Sequence, residues 1–164
     1  MTIHLLAIVQ MSLLLAVANG APVITAKLLG SYCAWPLDGG ATFGDGRPLL
    51  GRSKTLRGVT AAILASAITA PLLGLSWRLG VVAGSAAMAG DIFSSFIKRR
   101  IGLPSSSRAS GLDQVPESLL PLLACRGALS LSLVDILIGT AIFFVGEVVL
   151  SVLLFQVHIR DRPY

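Results

Sequence analysis

Residues 58–100 read GVTAAILASAITAPLLGLSWRLGVVAGSAAMAGDIFSSFIKRR. Two apolar runs, 59–75 and 79–97, flank a very short linker around Leu75-Ser76-Trp77-Arg78. Each run is about the length a helix needs to cross a bilayer, ~17–25 residues. So short a connection makes them an antiparallel hairpin. One acidic residue, Asp91, lies inside the second run, and Lys98-Arg99-Arg100 closes it. An ionisable side chain within a span is expensive and points to function.

The rest of the chain agrees with a membrane reading. Of 164 residues, 54% are hydrophobic and only 13% charged, and mean hydropathy is +0.83. A soluble domain carries roughly 25% charged residues, and a disordered chain is poorer still in apolar residues. Residues 3–19 form a further apolar run, without the basic n-region of a signal peptide. The apolar block 119–159 is too long for one span and divides near Ser132–Asp135, giving 117–132 and 136–158. The expected architecture is one all-α integral-membrane domain over 1–164. It has about five transmembrane helices, with two long cytoplasmic loops forming a polar site.

Charge sets the orientation. Five basic residues fall between spans one and two, four between spans three and four, and two (Arg160, Arg162) at the C-terminus. Only Arg78 and Arg126 of the 13 remain for the other face. Basic residues collect in cytoplasmic loops, so the N-terminus is expected outside and the C-terminus in the cytoplasm of a multi-pass cell-membrane protein. The net charge of +5 is thereby explained without nucleic acid, and 6% aromatic residues are too few for a stacking surface. Cys33 and Cys125 are far apart and lie in no CxxC, as free thiols do. Gly80 and Gly84 form a GxxxG that lets helices approach closely; a homo-oligomer is left open.

The two loops carry the chemistry. The first, roughly 19–57, is rich in glycine and ends Gly51-Arg52-Ser53-Lys54-Thr55-Leu56-Arg57-Gly58. Glycine-rich backbone turns amides toward an anion, and a helix N-terminus favours phosphate. Lys54, Thr55 and Arg57 add charge and a hydroxyl. It is not a Walker A loop, because Arg52-Ser53 separates Gly51 from Lys54-Thr55 and no strand precedes it. In span three, Asp91 and Lys98 share a helix face at i and i+7. A carboxylate below a lysine there suits Mg²⁺ with a phosphate above it, since Mg²⁺ takes one or two carboxylates plus substrate phosphates. Asp113 and Glu117, at i and i+4, could share a cation with Asp91. The bland alternatives are positive-inside anchoring for the basic cluster, a buried ion pair for Asp91 and helix N-terminal acids for Asp113 and Glu117.

Taken together, these loops resemble the CDP-archaeol synthase family and, more distantly, the CDP-diacylglycerol synthases. The likeness rests on Asn19-Gly20-Ala21-Pro22, Pro36-Leu37-Asp38-Gly39-Gly40, the Lys54-Thr55 stretch, Gly90-Asp91 through Lys98-Arg99-Arg100, and Leu112-Asp113-Gln114. The family pattern departs at Leu56, where tryptophan is usual, and at Pro116, where a second aspartate is usual; Glu117 follows one residue on. The resemblance implies a membrane cytidylyltransferase that transfers CMP from CTP to a lipid phosphate, giving CDP-lipid and pyrophosphate. It implies catalytic roles for Asp91, Asp113 and Lys98, and magnesium on Asp91, Asp113 and Glu117. Nucleotide would be held by Lys54, Thr55, Arg57, Arg99, Asn19 and Asp38. The rival is a non-catalytic transporter or anionic-lipid scaffold; no internal repeat of the transporter kind is visible, and charge anchoring does not require Asp91.

Overall fold

The computed structural model describes residues 3–107 and 109–156. Arg108, Arg160 and Arg162, used in the charge count, lie outside the described residues. The elements are α1 (Leu5–Leu29), α2 (Leu56–Leu72), α3 (Trp77–Arg100), α4 (Gln114–Ala124), α5 (Arg126–Leu129) and α6 (Leu133–Gln156). Among the described residues, α1 and α3 are each long and apolar enough to cross a membrane, and α2 is a shorter apolar helix.

Helix boundaries depart from the expected spans in two places. α1 continues ten residues past the expected end at 19, through Pro22, so Asn19-Gly20-Ala21-Pro22 is helical rather than loop. Thr25 Oγ1 donates to the Ala21 carbonyl at 2.7 Å within that stretch. The expected fourth span, 117–132, is instead an 11-residue α4, a single turn α5, and a left-handed Ser130. Eleven residues rise about 16 Å, roughly half the ~30 Å hydrocarbon core. The break near Ser132 is as expected. Ser132 accepts from the Asp135 amide, and Asp135 accepts from the Ser132 amide, a reciprocal cap opening α6.

α3 is the central helix, packed on α2 and α4, with α1 lying against α2, α3 and α6. Its small residues explain why. A Cβ on Gly80 would meet the Ser66 carbonyl at 2.4 Å, and one on Gly84 would meet Ser66 Oγ at 2.9 Å. The GxxxG is thus used inside the molecule, to seat α3 on α2. In lipid, helices gain little from burying apolar surface and associate by such close packing. Gly90 does the same for α4: a Cβ there would lie 2.3 Å from the Pro116 carbonyl. Met11, Leu14, Ala83, Leu122 and Ile136 fill the centre.

The end of the bundle away from the loops is tied by Asp135. It accepts from the His4 amide at 3.0 Å and bonds His4 Nδ1 at 2.9 Å, which joins the start of α1 to that of α6. Arg126 does not reach it; its Nε donates to the Leu131 carbonyl.

Candidate functional site

The first loop, 30–55, is folded by its own backbone. Leu37 donates to the Lys54 carbonyl at 2.7 Å and Leu56 to the Trp35 carbonyl at 3.1 Å, so the loop's two ends run side by side into α2. Asp38 organises the middle: its carboxylate accepts from the amides of Gly40, Leu50 and Gly51 at 2.9, 2.9 and 3.3 Å. These three bonds make Asp38 a scaffold for the Gly51–Lys54 turn. Burial pushes its carboxyl up, but these amide bonds together outweigh that and hold it below the usual carboxylate range. A depressed pKa contributes order above the unfolded value and loses it as pH falls through the folded one. Limited proteolysis of loop 30–55 should therefore accelerate below the ordinary aspartate range, and Asp38→Asn should show the fast pattern already at neutral pH. A variant with wild-type cleavage at every pH would overturn this role.

Thr55 caps α2, its hydroxyl accepting from the Gly58 amide at 3.2 Å. Arg57 donates to the carbonyls of Tyr32 and, at 2.7 Å, Gly30, and so ties the end of α1 to α2. Both still line a cavity of about 310 Å³. Its apolar walls include Pro22 and Ala26 of α1, Val59 of α2 and Met88 and Ile92 of α3, and its polar walls Arg52, Ser53, Lys54 and Asp91. Asn19 lies one turn deeper than Pro22 on α1, and its Nδ2 is buried with no hydrogen-bond partner.

The charges pair differently from the helix-face reading. Lys54, not Lys98, meets Asp91: its Nζ lies 2.7 and 2.5 Å from the two carboxylate oxygens, with both side chains about one-fifth exposed. Lys98 instead bonds Asp113 at 2.6 Å and donates to the Ser107 carbonyl at 3.0 Å. Asp113 also accepts from the Ala109 amide. Asp91 and Lys98 do share one helix, but each is claimed by a residue from a loop.

Glu117 is the acid brought to Asp91. The close approach at Gly90 carries the start of α4 over α3, and the Glu117 side chain, 7% exposed, hydrogen-bonds Asp91 with Glu147 and Lys54 nearby. Among the described residues, no three His, Cys, Asp or Glu side chains gather as a metal group. Asp113 pairs with Lys98 while Glu117 is brought to Asp91, so the three acids expected to share a cation do not gather at one point among the described residues. Two carboxyl groups in contact fit a divalent cation that completes its shell with phosphate and water.

Arg99 is 4% exposed, and neither its Nε nor its Nη1 has a hydrogen-bond partner. It faces Gly51, where an added Cβ would lie 3.8 Å from Nη1 and 2.8 Å from Ser105 Oγ; the glycine is also in the left-handed region at φ +95. Ser105 in turn bonds Ser53 of the cavity wall at 3.3 Å. Missed from sequence was the clasp behind it. Arg100 pairs with Asp45 and lies 4.7 and 5.1 Å from the Phe43 and Phe96 rings, and Arg47 donates to the Arg100 carbonyl. It fastens the tip of loop 30–55 to the end of α3. Asp45 and Phe43 stand 55 and 57 residues before Arg100, so the clasp leaves no local signal.

The sequence model of a family described as CarS-like, CDP-archaeol synthase, matches residues 3–164. Curated CDP-archaeol synthases are similar. That of Hyperthermus butylicus is 41% identical over 104 residues, 60% of this chain and 59% of the relative. That of Sulfurisphaera tokodaii is 34% identical over 135 residues, 79% of this chain and 81% of the relative. The first of these matches thus spans less than two thirds of the relative's length. A solved structure described as "Structural insight into an intramembrane enzyme for archaeal membrane lipids biosynthesis" superposes with TM-score 0.70 at 26% identity, covering 84% of this chain and 90% of that one.

Proposed function

The chain belongs to the CDP-archaeol synthase family, and from that premise we propose that it is a membrane cytidylyltransferase that moves CMP from CTP to a lipid phosphate. A lipid phosphate oxygen forms a bond to the α-phosphorus of CTP; the bond from that phosphorus to the bridging oxygen breaks, and pyrophosphate leaves. No protein nucleophile is needed. Transfer of this kind is mostly positioning and charge neutralisation.

The carrying observation is the buried guanidinium of Arg99 with two unmet N–H directions beside the Gly51–Lys54 turn. A phosphate oxygen is the ligand that satisfies them. Lys54, Arg52 and Ser53 extend the same basic wall into the cavity, where Lys54 neutralises phosphate and Asp91 holds its ammonium in place. Lys98 and Asp113 brace the second loop behind Arg99, and Thr55, Arg57 and Asp38 shape the first. Asp91 and Glu117 are the residues to hold Mg²⁺, which when bound supplies charge neutralisation to the attacking and leaving oxygens. The apolar walls from α1, α2 and α3 suit the lipid end of the acceptor. A scaffold that only attracts anionic lipid has no use for a buried arginine with two nitrogens unmet.

Purified protein, labelled CTP, Mg²⁺ and a panel of isoprenoid-ether and acyl-ester lipid phosphates test the reading. CDP-lipid and pyrophosphate should appear in equal amounts; CTP binding without either product across the panel would overturn it. The membrane topology is part of the proposal: five passes, N-terminus outside, loops and C-terminus in the cytoplasm. Arg47→Cys should then be labelled only from the cytoplasmic side and Thr2→Cys only from the other. Labelling of both from one side would refute the odd number of passes between them.

A further inference from the structure

Three features of the segment that follows α1 stand outside the chemistry above. First, it is exposed and aromatic: Tyr32 is 72% exposed and Trp35 66%. Second, it does not leave the bundle. The chain turns at Gly30 (φ +52) and Cys33 (φ +51), the Tyr32 amide donates to the Leu29 carbonyl, and Arg57 bonds the Gly30 and Tyr32 carbonyls. Third, its far end is fixed to another apolar helix, because the Leu56 amide that opens α2 donates to the Trp35 carbonyl at 3.1 Å.

These ties set the depth of the segment. The 25 residues of α1 rise roughly 37 Å, against a hydrocarbon core of ~30 Å. The last turn of α1 therefore stands among headgroups, where Leu28 is exposed at 79%. Trp35 is hydrogen-bonded to the first residue of α2, so the start of a second apolar helix marks the same plane. The other tryptophan, Trp77, lies at the opposite end of α2, just beyond its last residue, Leu72, with Arg78 against its ring. Tryptophan and tyrosine collect at both membrane–water interfaces, since a ring with one polar atom suits that boundary.

We infer that residues 30–35 form an interfacial anchor, with Tyr32 and Trp35 seated in the headgroup–acyl boundary of the bilayer on the side of the loops. The occupant of these exposed rings is lipid, because the backbone ties to the end of α1 and the start of α2 hold them at the level of the headgroups. Ala34, between them in sequence, lines the cavity. The anchor thus sets the mouth of the cavity at the depth where a lipid carries its phosphate. This inference requires only that α1 and α2 lie in a membrane and is independent of the CTP chemistry.

The chain has two tryptophans, so Trp77→Phe leaves Trp35 as the reporter. The full-length variant is reconstituted into vesicles of dioleoylphosphatidylcholine, with or without bromine on the acyl chains. Trp35 should lose most of its emission in brominated vesicles, whether or not CTP responds as well. Equal emission in the two kinds of vesicle would overturn the anchor. Emission that ignores bromine but is quenched by CTP would also overturn it and give Trp35 to the nucleobase. Should Trp77→Phe not reconstitute, the difference between wild type and Trp35→Phe reads the same indole.

Discussion

Asp91→Asn should reduce turnover by at least about 100-fold, the scale on which loss of one transition-state electrostatic contact acts. The amide keeps the size of the side chain but is a poor ligand for a divalent cation. It also stops holding Lys54, which bonds both Asp91 oxygens. The two effects separate by a second substitution. If Asp91 matters only as a counter-ion, Asp91→Asn/Lys54→Met should regain stability and turn over as fast as Lys54→Met alone. If it belongs to the reacting centre with Glu117, stability returns and turnover stays well below that of Lys54→Met. A double variant as active as Lys54→Met would refute the catalytic placement. Removing one partner of such a pair is the destabilising step, because it strands the other charge. The partial exposure of Asp91 and Lys54, about one-fifth each, keeps that penalty below the fully buried case.

This pairing also marks where sequence reasoning stopped. Lys54, Asp91, Lys98 and Asp113 were all visible as chemistry-bearing residues, because each stands in a short motif beside an apolar run. Their partnerships were not visible. The i, i+7 relation between Asp91 and Lys98 is real on α3, but a helix face says nothing about which loop returns to it. Lys54 comes back from 37 residues away because the Leu37–Lys54 and Trp35–Leu56 backbone bonds close the first loop. The scaffolding part of Asp38 does have a sequence signal: aspartate before two glycines commonly bonds backbone amides further along, and here it bonds three. Pro22 falls within the loop expected over 19–57 but lies inside α1. The departure at Pro116, with Glu117 one residue on, makes sense only once Gly90 admits α4. At that contact the Pro116 carbonyl occupies the space a Cβ would fill, and the acid one residue later is the one that reaches Asp91.

Arg99→Met should lower CTP affinity by roughly 100-fold while making the ligand-free protein melt later. The two changes have one cause. An arginine that is 4% exposed, with Nε and Nη1 unmet, carries a desolvation cost that the nearby charge of Asp113 offsets only in part. A buried, unsatisfied donor costs about 1–3 kcal/mol, and a hydrogen bond to a charged group contributes about 1.5–3 kcal/mol. Methionine fills a similar volume without either term. It therefore removes the strain from the empty site and the attraction from the filled one. Ligand binding stabilises a folded protein in proportion to its affinity, so CTP should raise the wild-type melting temperature and leave the variant nearly unmoved. Arg99→Lys separates charge from geometry: it keeps the cation but loses the planar fork beside Gly51, and should fall between the two. An Arg99→Met protein that melts earlier and still gains full thermal stabilisation from CTP would make Arg99 a structural partner of Asp113, and the phosphate would have to be sought at Lys54 and Arg52 alone.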